Sequence, residues 1–201
     1  MNGRHASALA LALILRAAPG HAGHGLMNTF ADLAPLPPPG VTAADWCWRV
    51  DRLAEALART FAATPTMRQV DALATARERL AELEVLAVAG ADAALARTLD
   101  AFARSLADAM AAVGTGPRER RLLALNLARA LLEQRYLLSL DYLELVRPAR
   151  PPLAAAVALL EARYAELRAG LPAGVAESLF FAEEEVRWSW EMAERGHAQG
   201  M

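Results

Sequence analysis

The sequence predicts an all-α protein, a compact antiparallel bundle of about six helices around one long, leucine-rich central helix. Glycine and proline divide residues 42–196 into helix-length segments, and apolar residues recur every three or four positions within most of them. Sustained alternation of apolar and polar residues, which would indicate strands, is hard to find. A chain of 201 residues is long enough to bury one core, so residues 42–196 are predicted to form a single domain.

Residues 1–22 have the pattern of a secretory signal peptide. A basic start precedes the apolar run 6–15, and small residues at Gly20 or Ala22 suit cleavage. The run is too short to cross a bilayer. Cleavage would make the protein periplasmic or secreted. The alternatives are an ordinary N-terminal helix, or an extension upstream of a start at Met27, and both leave the protein cytoplasmic.

Residues 23–41 are rich in proline and glycine and lack a sustained period. The run Pro37-Pro38-Pro39 favours a stiff, extended backbone. This segment is predicted to be a linker, or an arm that wraps around the bundle.

The first helix is predicted over residues 43–63. Thr42 and Asp45 resemble a capping box, although Asp replaces the usual Glu or Gln. The apolar residues of this segment are spaced by three or four, which predicts that one face packs in the core: Trp46, Val50, Leu53, Leu57 and Phe61.

Two further helices follow the first. Thr64 caps and Pro65 opens the second helix, which Gly90 ends, and Asp92 caps the third, which runs to about residue 113 before Gly114. Their predicted core residues are Met67, Val70, Leu73, Leu80, Leu83 and Leu86 in the second helix, and Leu95, Leu99, Phe102, Leu106 and Met110 in the third.

The central helix is predicted over residues 118–147, between Pro117 and Pro148. Its leucines cover most of the circumference instead of one stripe, which is typical of a helix surrounded by others. A fifth helix is predicted from Pro151 or Pro152 to about residue 169. The last covers about 175–195, before a frayed tail at 197–201.

Composition restricts the function only weakly. The net charge of −2 gives no reason to expect a nucleic-acid partner, and no transmembrane segment is expected. All 21 basic residues are arginine, which together with the abundant alanine is typical of GC-rich bacterial coding. A single cysteine, Cys47, excludes an intramolecular disulfide framework.

Recognisable catalytic and cofactor motifs are missing from the sequence, including phosphate loops, nucleophile elbows and haem-binding CxxCH. This favours a non-enzymatic accessory or adaptor protein that works through protein–protein interaction. We assign no catalytic residue and no cofactor, and we expect a protein partner. Whether the chain has an enzymatic activity stays open at this stage, with the sequence leaning against it.

Two sets of residues could carry binding. Asn126, Arg129 and Glu133 form a polar stripe on the central helix, with Tyr136 beyond it. If buried, this stripe fixes helix register or lines a pocket for a small molecule or cofactor, which is the alternative function; if exposed, it is the solvated side. Exposed aromatic residues on the last helix would instead form a partner-binding patch, and the candidates are Phe181, Trp188 and Trp190.

Metal binding is not expected. His21 and His24 offer two imidazoles, but no carboxylate or cysteine lies nearby. Glu194 and His197 have the spacing of one half of a di-iron motif, and the sequence lacks the second half. The acidic run at residues 183–185 is interpreted as a solvated face with ion pairs.

Overall fold

The computed structural model describes residues 29–30, 32–112, 114, 116–145 and 151–199, and every regular element in these ranges is a helix. The all-α bundle is confirmed. Its helices are α1 (Trp48–Thr60), α2 (Pro65–Ala89), α3 (Asp92–Ala111), α4 (Pro117–Leu145), α5 (Pro151–Gly170), the short α6 (Ala173–Glu177) and α7 (Phe180–Gln199).

The α2–α3 pair is an antiparallel hairpin with well-defined ends. The Thr64 hydroxyl accepts a hydrogen bond of 3.1 Å from the Met67 amide, which caps α2. Gly90 ends α2 in the left-handed conformation with φ of 72°, and the Ala91 amide reaches back to the Leu86 carbonyl. The predicted Asp92 cap is wrong: Ala91 is the N-cap residue without a side-chain bond, and Asp92 is the first helical residue.

The predicted core face of α3 is confirmed. Leu95, Phe102 and Leu106 are fully buried, and Leu99 and Met110 pack partly against the core. The predicted face of α2 is correct from Leu73 onward: Leu73 packs partly against the core, and Leu80, Leu83 and Leu86 are buried. Met67 and Val70 at the start of the helix are exposed.

Helix α4 lies against α2, α5 and α7, as expected for a central helix. The hydroxyls of Ser139 and Ser189 meet between α4 and α7 and form a buried hydrogen bond. Leu122 and Leu140 are about half exposed, so contact with neighbours does not extend all round. Over residues 117–140, the buried leucines of α4 are Leu123, Leu127, Leu131, Leu132, Leu137 and Leu138.

The predicted last helix is divided in two. Helix α6 ends at Glu177, and α7 begins at Phe180 after a turn in which the Ser178 hydroxyl donates to the Val175 carbonyl at 2.7 Å. Helix α7 then continues through Gly196 to Gln199 instead of ending at residue 195.

Helix α1 differs most from its prediction. It begins at Trp48, several residues later than expected, because the Thr42 amide and hydroxyl both donate to Asp45 Oδ2 in a separate turn before the helix. The predicted core face points to solvent: Trp46, Val50, Leu53, Leu57 and Phe61 are between 53% and 91% exposed.

The opposite face of α1 explains this orientation. Asp51 and Glu55 point toward α2, where both carboxylates contact the buried guanidinium of Arg79. An unpaired buried charge is very costly, so this contact outweighs the burial of a few apolar side chains on a surface helix. The predicted core face of α1 was therefore wrong because the sequence pattern ignores charge pairing with another helix.

The segment before α1 follows the bundle surface as an arm. The Thr29 amide donates to a Glu185 carboxylate oxygen on α7 at 2.7 Å, and the Phe30 ring stacks on Tyr136 of α4 with ring centroids 4.8 Å apart. Arg77 of α2 donates to the carbonyls of Ala34 and Pro35. These contacts favour the predicted arm over the predicted free linker.

Candidate functional site

The four residues of the predicted polar stripe of α4 differ in their exposure. Asn126 and Arg129 are exposed, and only Glu133 and Tyr136 are half-buried. Glu133 lies 4.0 Å from an Arg77 guanidinium nitrogen of α2, so its ion-pair partner is on another helix. Two of the four predicted residues therefore face solvent, and the other two are engaged by neighbouring segments.

The environment of Glu133 and Tyr136 is protein, not an open cavity. Burial raises the pKa of Glu133 against the opposing effects of the Arg77 and Arg129 guanidinium groups. Burial also raises the pKa of Tyr136, and the negative charge of Glu185 adds to this increase. The Phe30 ring covers one face of Tyr136. Tyr136 thus anchors the arm.

A cleft of about 350 Å³ lies elsewhere, where the C-terminal half of α1 meets the start of α2 and the end of α3. It contains no residue of the predicted stripe. Its walls carry one guanidinium, one carboxylate and one hydroxyl group among alanine side chains. The lining residues are Ala56, Thr60, Arg68, Asp108, Ala111 and Ala112.

The aromatic residues of α7 divide between core and surface. Trp190 packs partly against the core, whereas Phe181 and Trp188 are exposed. Met192 is also exposed, and it lies on the same side because positions 181, 188 and 192 fall within about 40° of one another around a helix. We call Phe181, Trp188 and Met192 the α7 stripe.

An exposed series of ion pairs follows the edge of the α7 stripe. Arg187 contacts Glu184 and lies 2.9 Å from Glu191, and Arg195 lies 3.3 Å from the same Glu191 carboxylate group. Hydrogen bonding from Arg187 lowers the pKa of Glu184. This part of the acidic run is the solvated, ion-paired face that the spacing predicted.

The other two carboxylates of the acidic run have structural partners. Glu183 accepts hydrogen bonds from the Tyr164 hydroxyl and, at 2.7 Å, from Arg168, both on α5. Glu185 holds the arm through the Thr29 amide. In the described residues no three metal-binding side chains come together in a group.

A buried charge cluster centred on Arg79 was not predicted from the sequence. Its guanidinium is 2% exposed and contacts carboxylates of Glu55 and Glu82, with Asp51 at 3.5 Å and Glu78 at 3.7 Å. Four carboxylates thus surround one positive charge, two from α1 and two from the same helix as Arg79. This Arg79 cluster holds α1 against α2.

Glu82 is the most perturbed acid of the Arg79 cluster. Burial raises its pKa to about 7, although the nearby Arg79 charge and hydrogen bond act in the opposite direction. One carboxylate oxygen, Oε2, is buried without a hydrogen-bond partner among the described residues, which is where a proton would relieve the cost of burial. Burial also raises the pKa of Glu55.

A sequence signal for Arg79 does exist. Arg79 lies seven residues after Ala72 and seven before Leu86, and both of these are buried, so all three share one side of α2. A charged residue in register with core positions predicts a buried charge that needs a partner. The partner itself lies on α1, about 24 residues earlier, and no local spacing connects the two.

The signal-peptide pattern at residues 1–22 and the histidines His21 and His24 lie outside the described residues. Among the helices that the structure describes, none is long and apolar enough to cross a membrane. No protein-family model matches the chain, and neither the curated proteins nor the solved structures contain a match.

Proposed function

We propose that this protein is a non-enzymatic accessory or adaptor protein that acts through protein–protein interaction, and that the α7 stripe is its docking surface for a partner. The observation that carries this proposal is the exposure of Phe181, Trp188 and Met192 along one side of α7, with Trp188 41% exposed. Three large apolar side chains spread over 11 positions cover roughly 17 Å of helix.

The surroundings of the α7 stripe resemble those of known interfaces. Tryptophan, methionine and arginine are enriched where proteins bind one another, and a polar rim normally surrounds the apolar centre. Here the side chains of Glu184, Arg187, Glu191 and Arg195 supply such a rim on one edge. A partner with an apolar groove would receive the stripe in the way that grooves receive amphipathic helices.

The alternative, a pocket for a small molecule or cofactor, has less support. Ligand sites are concave and enclose most of the ligand surface. Asn126 and Arg129 are exposed, Glu133 pairs with Arg77, and Tyr136 is covered by Phe30. The four candidate pocket residues therefore lie in different surroundings. The exposed Trp188 instead favours the interaction function.

Photo-crosslinking in the organism that makes the protein tests this proposal. A photoreactive phenylalanine analogue placed at Phe181 should give an adduct with a different protein. The adduct should disappear when Trp188→Glu is added, because a charge in the middle of the stripe would have to be desolvated on binding. The control position is Val88 on α2, which is exposed and remote in sequence, and it should give no such adduct.

Mass spectrometry of the adduct decides the outcome. A heteromeric adduct that requires Trp188 supports the proposal. Two results would overturn it: no adduct at position 181, or an adduct that contains two copies of this chain and nothing else.

A further inference from the structure

The outward face of α1 is a second apolar surface, separate from the α7 stripe. Val50, Leu53 and Leu57 occupy one side of the helix, and Trp46 and Phe61 continue it in the turns before and after. We call these five residues the α1 stripe. Together they expose on the order of 700 Å² of side chain, more than the largest apolar patch on many monomers.

Helix α1 has little else to stabilise it. A 13-residue helix is marginal on its own, and most helical stability in proteins comes from packing of the apolar face. In α1 the face toward the bundle is held by the charged Arg79 cluster and by Trp48, which packs partly against the core, and the opposite apolar face is uncovered. A second surface that covers the α1 stripe would supply the missing packing.

We propose that a second copy of the chain covers the α1 stripe and forms a symmetric dimer in which the two α1 helices pack antiparallel. The order of side chains supports a twofold arrangement. An aromatic residue stands at each end of the stripe, Trp46 and Phe61, an aliphatic residue lies next to each, Val50 and Leu57, and Leu53 is at the centre.

In an antiparallel pair, the numbers of two residues that face each other have a constant sum. The pairs 46 with 61 and 50 with 57 have the same sum, about 107, so one register aligns both pairs. Trp46 then meets Phe61 of the second copy, and Val50 meets Leu57. Leu53 and Ala54 lie at the axis, where a small residue lets the helices approach. Each copy uses the same patch on the other, as a twofold interface requires.

The charges near the stripe are compatible with this pairing. Arg49 flanks the stripe, and the two copies of Arg49 would lie about nine positions apart, roughly 13 Å along the axis, which exceeds the screening length at about 0.1 M salt. On the other flank Asp51 is turned toward Arg79 of its own chain. The antiparallel pair therefore brings no like charges into direct contact.

The size and charge of the α1 stripe favour a protein over a lipid surface. An area on the order of 700 Å² per copy is close to the roughly 800 Å² per partner of a standard interface. Helices that lie on membranes usually carry a basic polar face. In α1 Arg52 is paired with Glu55 of the same helix, and the Asp51 and Glu55 carboxylates are turned toward Arg79 of the bundle.

The molar mass of the full chain in solution tests the dimer, by sedimentation equilibrium over a wide concentration range. We expect a species of twice the 21.5 kDa chain mass, which the double variant Leu53→Glu/Leu57→Glu converts to monomer. The matched control is Leu122→Glu on α4, because Leu122 is 52% exposed and Leu57 is 53% exposed. The control should stay dimeric. Circular dichroism of all three proteins should show the same helix content.

Disulfide trapping tests the register. In a Cys47→Ser background, Leu53→Cys should form a disulfide-linked dimer on mild oxidation, because the two copies of position 53 meet at the axis. Val88→Cys, also exposed, should not. Trp188→Glu should leave the dimer mass unchanged, so failure of the α7 proposal and failure of the dimer are separate results.

Three outcomes would overturn the dimer. The first is a monomeric wild-type chain at about 100 µM. The second is a dimer that Leu122→Glu dissociates and Leu53→Glu/Leu57→Glu does not. The third is a monomer that co-sediments with phosphatidylglycerol vesicles only while the α1 stripe is intact, which would assign the stripe to a lipid surface.

Discussion

Helices α1 and α3 carry the same kind of apolar pattern and face opposite ways. Helix α3 has five large apolar residues spaced by three or four, and α1 together with the turns at its two ends has five at the same spacing. Those of α3 form the core, with Phe102 fully buried, whereas those of α1 point to solvent, with Phe61 80% exposed. Periodicity thus identifies a helix and its two faces. Which face is buried depends on the helix it packs against.

The charges on the opposite faces make the difference. The polar residues of α3 are compatible with water, and Asp100 and Arg104 are exposed there. The polar face of α1 carries two of the four carboxylates that surround the Arg79 guanidinium, which is 2% exposed. Burial of one guanidinium on α2 therefore sets the orientation of its neighbour.

The largest expected effect comes from the same substitution made in both helices. Phe102→Ala should lower the free energy of unfolding by about 3–5 kcal/mol, because it leaves a cavity in the core. Phe61→Ala should change it by less than about 0.5 kcal/mol in dilute solution, since the ring is exposed there. Urea denaturation measures both. Equal losses would show that the α1 stripe is buried within a single chain.

Removal of the Arg79 charge should lower the free energy of unfolding by about as much as Phe102→Ala. Arg79→Met leaves the buried Glu82 carboxylate without its counter-charge and Glu55 with Arg52 alone, which should cost about 3–5 kcal/mol in urea denaturation. Adding Glu82→Leu should restore part of this loss, because one uncompensated charge is removed. If the double variant is as unstable as the sum of the two single variants, the pair is not coupled.

The pH dependence of stability should give a smaller effect. The pKa of Glu82 is about 7 in the folded protein and close to 4.5 in the unfolded chain, so the folded state holds the proton more tightly. The stability from this group is fully present below about pH 4.5 and is lost as pH rises through about 7. The free energy of unfolding should therefore fall by on the order of 3 kcal/mol between pH 5 and pH 8.

Glu82→Gln is the variant that isolates this effect, because glutamine keeps an acceptor for Arg79 and cannot ionise. It should reduce the pH dependence without abolishing it, since burial also raises the pKa of Glu55 and Glu133. If Glu82→Gln keeps the full pH dependence of the wild-type stability, groups other than Glu82 cause that dependence.

Most of the fold follows from local chemistry that the sequence shows directly. The Thr64 cap, the Gly90 turn and the prolines at the starts of α4 and α5 mark helix ends correctly, because a cap or a missing amide acts within one turn. The core of α3 follows from its period. The break at Ser178 and the late start of α1 were missed. Before α1, the Asp45 side chain accepts from Thr42 in a turn that precedes the helix.

The candidate sites were predictable only in part. Phe181, Trp188 and Trp190 were candidates for a partner-binding patch if exposed, and Phe181 and Trp188 are exposed. Trp190 and Trp188 differ by two positions, so only their neighbours decide which one packs inward. The pairs Glu133 with Arg77 and Glu55 with Arg79 each join two helices. No spacing along the chain contains that information.

The hydrogen bond between Thr29 and Glu185 joins residues 156 positions apart. During synthesis the arm leaves the ribosome before any helix of the bundle, yet its acceptor belongs to the last helix to be made. At about 5–20 residues per second, the arm waits on the order of 10 s for that partner. Docking of Phe30 and closure of the arm over α4 are therefore late events, which follow the folding of the helices that the chain produces in between.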